Sequence, residues 1–372
     1  MSAKSYKDHL YALVMAGGGG TRLWPRSRDK TPKQFLKLFG NKTLLEITIE
    51  RLRKFLPWER IFISTATIKY EIEIKRLLPS VPKNHIIVEP ARRDTAPAHG
   101  LGALHIYKKD DQAVIINAAS DHFIRPEKNY KKIMYAASCV AYEGNFLVAV
   151  GVRPSYPHTG MGHIRRGKKI KTVEGKIVYK LDKFVEKPPL PQAKRYTSSG
   201  NYFWNANQYV WKADSFLQAL SNYQPEIYKN LMMIGKFIGT KKEKQVLEKY
   251  YNLMPKISVD YAVSEKAKNF LMLVADYEWT DIGDWNEVWK NLTKDEYGNV
   301  VIDGDAPGGE VINLDTSDAL IHTDGRLIAI IDVDNIIVVD TDDALLICSK
   351  SKAQNVKKIV EQLKQKSEKE YL

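Results

Sequence analysis

Short apolar runs alternate with longer amphipathic stretches through the first 150 residues, and this pattern constrains the fold more than any other feature. The runs are rich in valine and isoleucine and lie at 11–16, 60–65, 85–89, 113–119 and 146–152. Between them, residues 43–55, 68–78, 95–107 and 128–142 have helical spacing; in the first of these Leu44, Ile47 and Leu52 share a face. Buried strands alternating with helices predict an α/β fold with a mostly parallel sheet covered on both sides. Sheets of this kind bind ligands beyond the carboxyl ends of their strands.

The rest of the chain changes character twice. Residues 163–187 read as a basic hairpin before the turn at Pro188-Pro189, residues 213–270 as helical, and residues 270–278 as a further strand. From about residue 298, Gly, Asp and Pro punctuate short runs at 310–313, 319–322, 327–331, 335–339 and 345–348. Val356, Ile359, Val360 and Leu363 then mark one face of a closing helix, expected to dock on the body. Two domains follow, residues 1–295 and a small β-rich domain at 296–372 that ends in this helix.

Bulk properties narrow the function. The 372 residues carry 57 Lys and Arg against 44 Asp and Glu, a net charge of +13. A basic chain suits anionic partners, and it is also what solvated helix surfaces give. The charge forms no arm or tail, and no finger spacing or RNA-recognition signature accompanies it, so nucleic acid is not an expected partner. Cys139 and Cys348 form no metal-type pair and read as small buried apolar residues of a reducing, cytoplasmic setting. The apolar stretch at 10–16 is too short to cross a bilayer, so no membrane is expected.

Immediately after the first apolar run comes Gly17-Gly18-Gly19-Gly20-Thr21-Arg22. Four glycines let the backbone approach a ligand, and their N–H groups can converge on phosphate oxygens. Arg22 adds a planar cation suited to phosphate. A glycine run alone is a flexible turn. The spacing matches neither the kinase-type phosphate loop nor the dinucleotide-binding loop. Lys33, in Thr31-Pro32-Lys33-Gln34-Phe35, is near enough in sequence to reach the same phosphates.

These segments, with others in order, resemble the signature of the sugar-1-phosphate nucleotidyltransferases, and among them the mannose-1-phosphate guanylyltransferases. The first match is Thr21-Arg22-Leu23-Trp24-Pro25, Ser27-Arg28 and Pro32-Lys33-Gln34-Phe35. The others are Glu89-Pro90 with Arg93-Asp94-Thr95-Ala96-Pro97-Ala98, Ser120-Asp121-His122, Thr159-Gly160-Met161-Gly162-His163-Ile164, Phe184-Val185-Glu186-Lys187-Pro188, Trp204-Asn205-Ala206-Asn207, Ser258-Val259-Asp260-Tyr261-Ala262-Val263 and Trp279-Thr280-Asp281-Ile282-Gly283-Asp284-Trp285. The likeness spans about residues 10–350.

The resemblance implies a Rossmann-like nucleotidyltransferase domain with a mixed, mostly parallel sheet, followed by a β-helix-like domain. It implies that Gly17, Gly18, Gly19, Gly20 and Thr21 hold the nucleotide, and that Glu89, Asp94, Thr95 and Ala96 line the guanine pocket. Asp94 or Thr95 read alone is a helix cap. Gly162, Glu186 and Asn205 are implied in sugar binding, with Lys187 on the sugar phosphate; out of context Glu186-Lys187 is surface charge. Asp121 and Asp281 fall on the family's metal aspartates, and hard carboxylate oxygens beside phosphates suit Mg²⁺. His122 has no partner histidine at metal spacing. Asp260 reads first as a helix cap and second as support for the site.

The implied reaction joins GTP and mannose 1-phosphate to give GDP-mannose and diphosphate, with Arg22, Lys33 and Lys187 as catalytic cations. Met161, His163, Ala206, Asn207, Asp94 and Asp284 depart from the family pattern, and Asp284 would add negative charge near the cation. Another sugar phosphate, such as a heptose 1-phosphate, or another base stays open, as does a nucleotide-sensing relative without turnover. The family's C-terminal extension often mediates self-association, so a homodimer is an expectation. Some members carry an isomerase domain after the transferase; 372 residues leave no room for one, and no isomerase activity is expected.

Overall fold

The computed structural model describes residues 5–304, 306 and 308–372. In chain order its strands are β1 (Leu10–Ala16), β2 (Ile61–Thr65), β3 (Ile86–Val88), β4 (Val114–Ala119), β5 (Phe123–Arg125), β6 (Leu147–Val152), β7 (His163–Val173), β8 (Lys176–Val185), β9 (Tyr202–Lys212), β10 (Phe270–Val274) and β11 (Glu278–Thr280). Six further strands follow: β12 (Val300–Asp303), β13 (Val311–Leu314), β14 (Leu320–Thr323), β15 (Ile328–Ile331), β16 (Ile336–Asp340) and β17 (Leu345–Ser349). The chain divides into two compact units. One runs through Gly17, Thr48–Ser120 and Ile124–Trp279; the other holds Gly18–Ile47, Asp121–Phe123 and Thr280–Leu372.

The first unit is built on a nine-stranded sheet in the order β3-β2-β1-β4-β9-β6-β10-β8-β7. β1 pairs in parallel with β2 and β4, as β2 does with β3 and β6 with β10. β8 and β9 run against the others, so the sheet is mixed while most strands share one direction. The central strands are buried on both faces, which is why they read as unbroken apolar runs. Helices Leu44–Arg53, Ile68–Leu77, Thr95–Lys109 and Glu127–Tyr142 fall where the sequence spacing places them. Thr95–Lys109 is buried along nearly its whole length and packs into the core with Leu13, Ile115, Trp211 and Phe216.

Three features differ from the sequence expectation. The helical region at 213–270 is three helices, Ala213–Tyr223, Pro225–Gly235 and Glu243–Tyr251, then an irregular stretch and a π-helical turn at Asp260–Ser264. The apolar run at 270–278 is interrupted at Ala275-Asp276-Tyr277 and divides into β10 and β11. The Trp204–Asn207 motif lies inside an 11-residue strand, β9, which inserts between β4 and β6.

In the second unit β12, β14 and β16 stack in parallel, with β17 antiparallel at one edge. The strands between them, β13 and β15, pair separately. Successive strands thus alternate between two small sheets, the path of a β-helix. Leu320, Ile337 and Val339 pack with Trp285 and Val288 of helix Trp285–Asn291 and with Val356 and Val360 of the closing helix Val356–Gln365. Leu23 and Trp24 belong to the same cluster. The Trp285 indole N–H donates to the Trp24 carbonyl at 3.0 Å, and the Trp24 indole to that of Tyr371 at 2.8 Å.

Candidate active site

In the second unit the glycine loop runs into a turn of 3-10 helix at Thr21–Leu23, which carries Arg22. Gly20 has φ +71°, and a Cβ there would lie 2.4 Å from the Lys33 Cβ, so the position requires glycine. Gly18 and Gly19 are exposed and face open space, so protein packing does not explain their missing side chains. The Ser27 hydroxyl donates to the Gly19 carbonyl at 2.7 Å and pins the loop. Gly17, in the first unit, closes β1.

Lys33 is buried on a short turn, Lys33–Phe35, set by Pro32. Its ammonium lies 2.8 Å from Asp121 Oδ2 and donates to the backbone carbonyl of Asp281. Asp121 and Asp281 are 160 positions apart, and one lysine contacts both residues. Burial raises the Asp121 carboxyl, but Lys33 and His122 outweigh it and hold Asp121 below the usual carboxylate range. Ile282, next to Asp281, has φ +46°, rare for a β-branched residue, and is fully buried. Asp284 caps helix Trp285–Asn291 by accepting from Glu287 N–H at 3.0 Å, and Gln354 donates to its other oxygen. Its carboxylate is thus occupied in holding the fold.

The first unit gathers the residues assigned to the sugar. Glu186 and Lys187 follow β8; Lys187 has φ +45° and is exposed. Glu186 Oε1 takes the Lys187 ammonium at 2.8 Å. Glu186 Oε2 is buried and has no hydrogen-bond partner among the described residues. A Cβ on Gly162 would stand 2.5 Å from that oxygen, so any larger residue there would displace the carboxylate. Lys187 is raised above its ordinary range: burial acts downward, but Glu186 and then Asp260 more than offset it.

Asn205 lies behind this pair on β9. Its amide N–H₂ reaches Asn207 Oδ1 at 2.9 Å, Tyr209 OH at 2.9 Å and Asp260 Oδ1 at 3.0 Å. Asn207 N–H donates back to Asn205 Oδ1 at 3.3 Å. Tyr209 OH donates to Asp260 Oδ1 at 2.7 Å. Burial and Glu186 push the Asp260 carboxyl up to about 6, against Tyr209 and Lys187. Tyr209 could not be found from the sequence, because a strand tyrosine is ordinarily core. His163, which departs from an aromatic in the family pattern, packs 5.7 Å from the Tyr196 ring, itself stacked on Tyr202 at 3.7 Å.

The segment assigned to the base is laced to the stretch after helix Glu243–Tyr251. Ala96 N–H donates to the Ile257 carbonyl at 3.1 Å, Ile257 N–H to the Arg93 carbonyl at 3.2 Å, and Val259 N–H to Thr95 Oγ1 at 2.8 Å. Asp94 has φ +67° and accepts from Thr95 N–H at 2.7 Å, so it caps helix Thr95–Lys109. Glu89 accepts from Ser64 at 3.0 Å and from Tyr251 at 2.7 Å. Burial pushes its carboxyl to about 7 despite these two donors.

Mg²⁺ takes one or two protein carboxylates and completes its shell with water and phosphate oxygens; here Asp121 offers its carboxylate to Lys33, and Asp281 meets the same lysine through its backbone carbonyl. No group of three or more His, Cys, Asp or Glu suited to a metal occurs among the described residues. No described helix is long and apolar enough to cross a membrane.

A nucleotidyl transferase family model matches residues 11–297, and a MannoseP isomerase/GMP-like beta-helix domain model matches residues 309–363. Mannose-1-phosphate guanylyltransferase of Klebsiella pneumoniae is 34% identical over 363 residues, 97% of this chain and 75% of the relative. The protein of that name in Escherichia coli (strain K12) is 34% identical over 365 residues, 96% of this chain and 74% of its own length. A crystal structure of a Thermus thermophilus protein, described as mannose-1-phosphate geranyltransferase, aligns with a TM-score of 0.84 at 32% identity, covering 96% of this chain and 99% of that one.

Proposed function

The chain belongs to the nucleotidyl transferase family and is a nucleotidyltransferase enzyme, and from that premise we propose that it joins mannose 1-phosphate to GTP, giving GDP-mannose and diphosphate. The observation that carries this reading is the contact set of Lys33, which meets the Asp121 carboxylate and the Asp281 backbone beside the glycine loop. The choice of mannose and guanine rests on what the relatives are named for.

An oxygen of the sugar phosphate attacks the α-phosphorus in line as the bond to the β-phosphate oxygen breaks. That oxygen is already ionised, so no general base is required. Catalysis is positioning and charge neutralisation. Gly17 to Thr21 offer backbone N–H groups to the phosphates, and Arg22 and Lys33 stabilise the departing diphosphate. Lys187 holds the sugar phosphate, while Glu186 Oε2 accepts from a sugar hydroxyl. Glu89, Asp94, Thr95 and Ala96 shape the base pocket, with Glu89 acting through Ser64 and Tyr251. Asp121 and Asp281 would hold Mg²⁺, which would supply positive charge to offset the negative charge of the phosphates.

A coupled diphosphate-release assay across sugar 1-phosphates and nucleoside triphosphates tests this. Turnover should be fastest with mannose 1-phosphate and GTP. Turnover confined to glucose 1-phosphate and UTP would overturn the assignment, and none with any pair would favour a sensing role.

A further inference from the structure

Asp260 is 6% exposed, and its Oδ1 accepts from two neutral donors, the Tyr209 hydroxyl and the Asn205 amide. Ser264, on the same turn, donates to Tyr209 at 3.1 Å and completes the cluster. The charged groups facing Asp260 are Glu186 and Lys187, at the end of β8. Glu265, the next acid along, accepts instead from Glu186 N–H at 3.0 Å. Fully ionised, the cluster holds two carboxylates and one ammonium. A phosphate monoester brings close to two more negative charges at neutral pH.

One of the two carboxylates is placed to give way. Glu186 is in direct contact with the Lys187 ammonium, whereas Asp260 has only neutral donors on it. A proton can sit on Asp260 Oδ2 without breaking either bond to Oδ1. The Asn205–Tyr209–Asp260 network, and with it the Asn207 turn, therefore survives protonation. We propose that Asp260 is a positioning residue that takes up a proton from solvent when the sugar phosphate binds, offsetting the incoming charge while keeping Asn205 fixed. The inference rests on the reading of Lys187 as the sugar-phosphate ligand. Burial and Glu186, which already push this carboxyl up to about 6, poise it for that role.

The test is calorimetric. Mannose 1-phosphate is titrated into the full chain saturated with a non-hydrolysable GTP analogue, at pH 7.5, in buffers of different ionisation enthalpy. The heat should report uptake of roughly half a proton or more per site, and Kd should rise by up to about tenfold per pH unit from pH 6.5 to 8. In Asp260→Asn the uptake should vanish, and Kd at pH 8 should match that of the wild type at pH 6.5. If Asp260→Asn does not fold, Tyr209→Phe removes a donor to the ionised carboxylate, and the Kd–pH midpoint should move upward.

Saturable binding without proton uptake would overturn the inference and leave the sugar-phosphate reading standing. Uptake equal in wild type and Asp260→Asn would assign the proton elsewhere and overturn it too. No saturable binding at all would sink the reading on which it rests, and the inference with it.

Discussion

A methyl group at position 162 would collide with Glu186 Oε2, which has no hydrogen-bond partner among the described residues. Gly162→Ala therefore tests the sugar half of the site with one added carbon. The clash is with the far end of a flexible side chain, so the added methyl moves the carboxylate more than it strains the fold. Displacement of the carboxylate should raise KM for mannose 1-phosphate by roughly tenfold or more, while KM for GTP stays within about twofold. Equal rises in both constants would show general damage instead. Asp121 invites a different substitution. Asp121→Asn keeps the shape but removes the charge that meets Lys33 and would hold Mg²⁺. Turnover should be abolished in steady-state assays, with nucleotide affinity by equilibrium binding within about an order of magnitude. Unchanged turnover would refute the metal assignment. Both aspartates could be picked from the sequence because each sits in a motif, but that a buried lysine contacts both residues could not. The 160 positions between them leave that to the tertiary fold.

At the scale of elements, four of the ten non-glycine positive φ angles among the described residues fall on the motifs. Asp94, Lys187, Asn207 and Ile282 all have them, at +67°, +45°, +50° and +46°. Such conformations cost of order 1–3 kcal/mol for ordinary residues and persist where the surroundings over-determine them. Asn207 stands where the family pattern has glycine, and asparagine tolerates this region better than most side chains. The departure thus keeps the backbone and adds Oδ1 as an acceptor for Asn205. Asn207→Val should lose about 1–3 kcal/mol in a denaturant melt, and Asn207→Gly less than half as much. A valine variant as stable as the wild type would show that the turn does not depend on this angle. The elements that were legible are those whose periodicity arises from their own burial. β1 to β4, β6 and the four early helices were bounded to within two residues. β9 was missed because Asn205, Asn207 and Gln208 break its apolar pattern, and the π-helical turn because no local spacing marks it. In the β-helix, β12 was missed because only Val300 and Ile302 face inward.

For the first unit as a whole, buried ionisable groups set a pH dependence that its surface charge does not reveal. Burial pushes Glu89 from 4.5 to about 7 and, with Glu186, Asp260 from 3.8 to about 6. Each native carboxyl binds its proton more tightly than the unfolded chain does. Their stabilisation is complete below the unfolded values and is lost as pH rises through about 6 and about 7. Buried histidines act oppositely. Burial lowers His99 from 6.5 to about 4, and also lowers His85, His105 and His163. The unfolded chain protonates these rings first, so their contribution is present above 6.5 and is lost as pH falls. The histidines thus give the acid limb, and they still oppose Glu89 at pH 6.5, where about half of the unfolded rings carry a proton. Thermal melts across pH should show stability lost as pH falls below about 6.5, where the four histidines outweigh the two carboxyls. Glu89→Gln removes the ionising group while leaving Ser64 and Tyr251 a partner. Its stability relative to wild type should grow with pH, to roughly 3 kcal/mol by pH 8. A stability difference between Glu89→Gln and wild type that stays constant from about pH 5 to 8 would show that this carboxyl is ionised in the folded protein at lower pH than its burial demands.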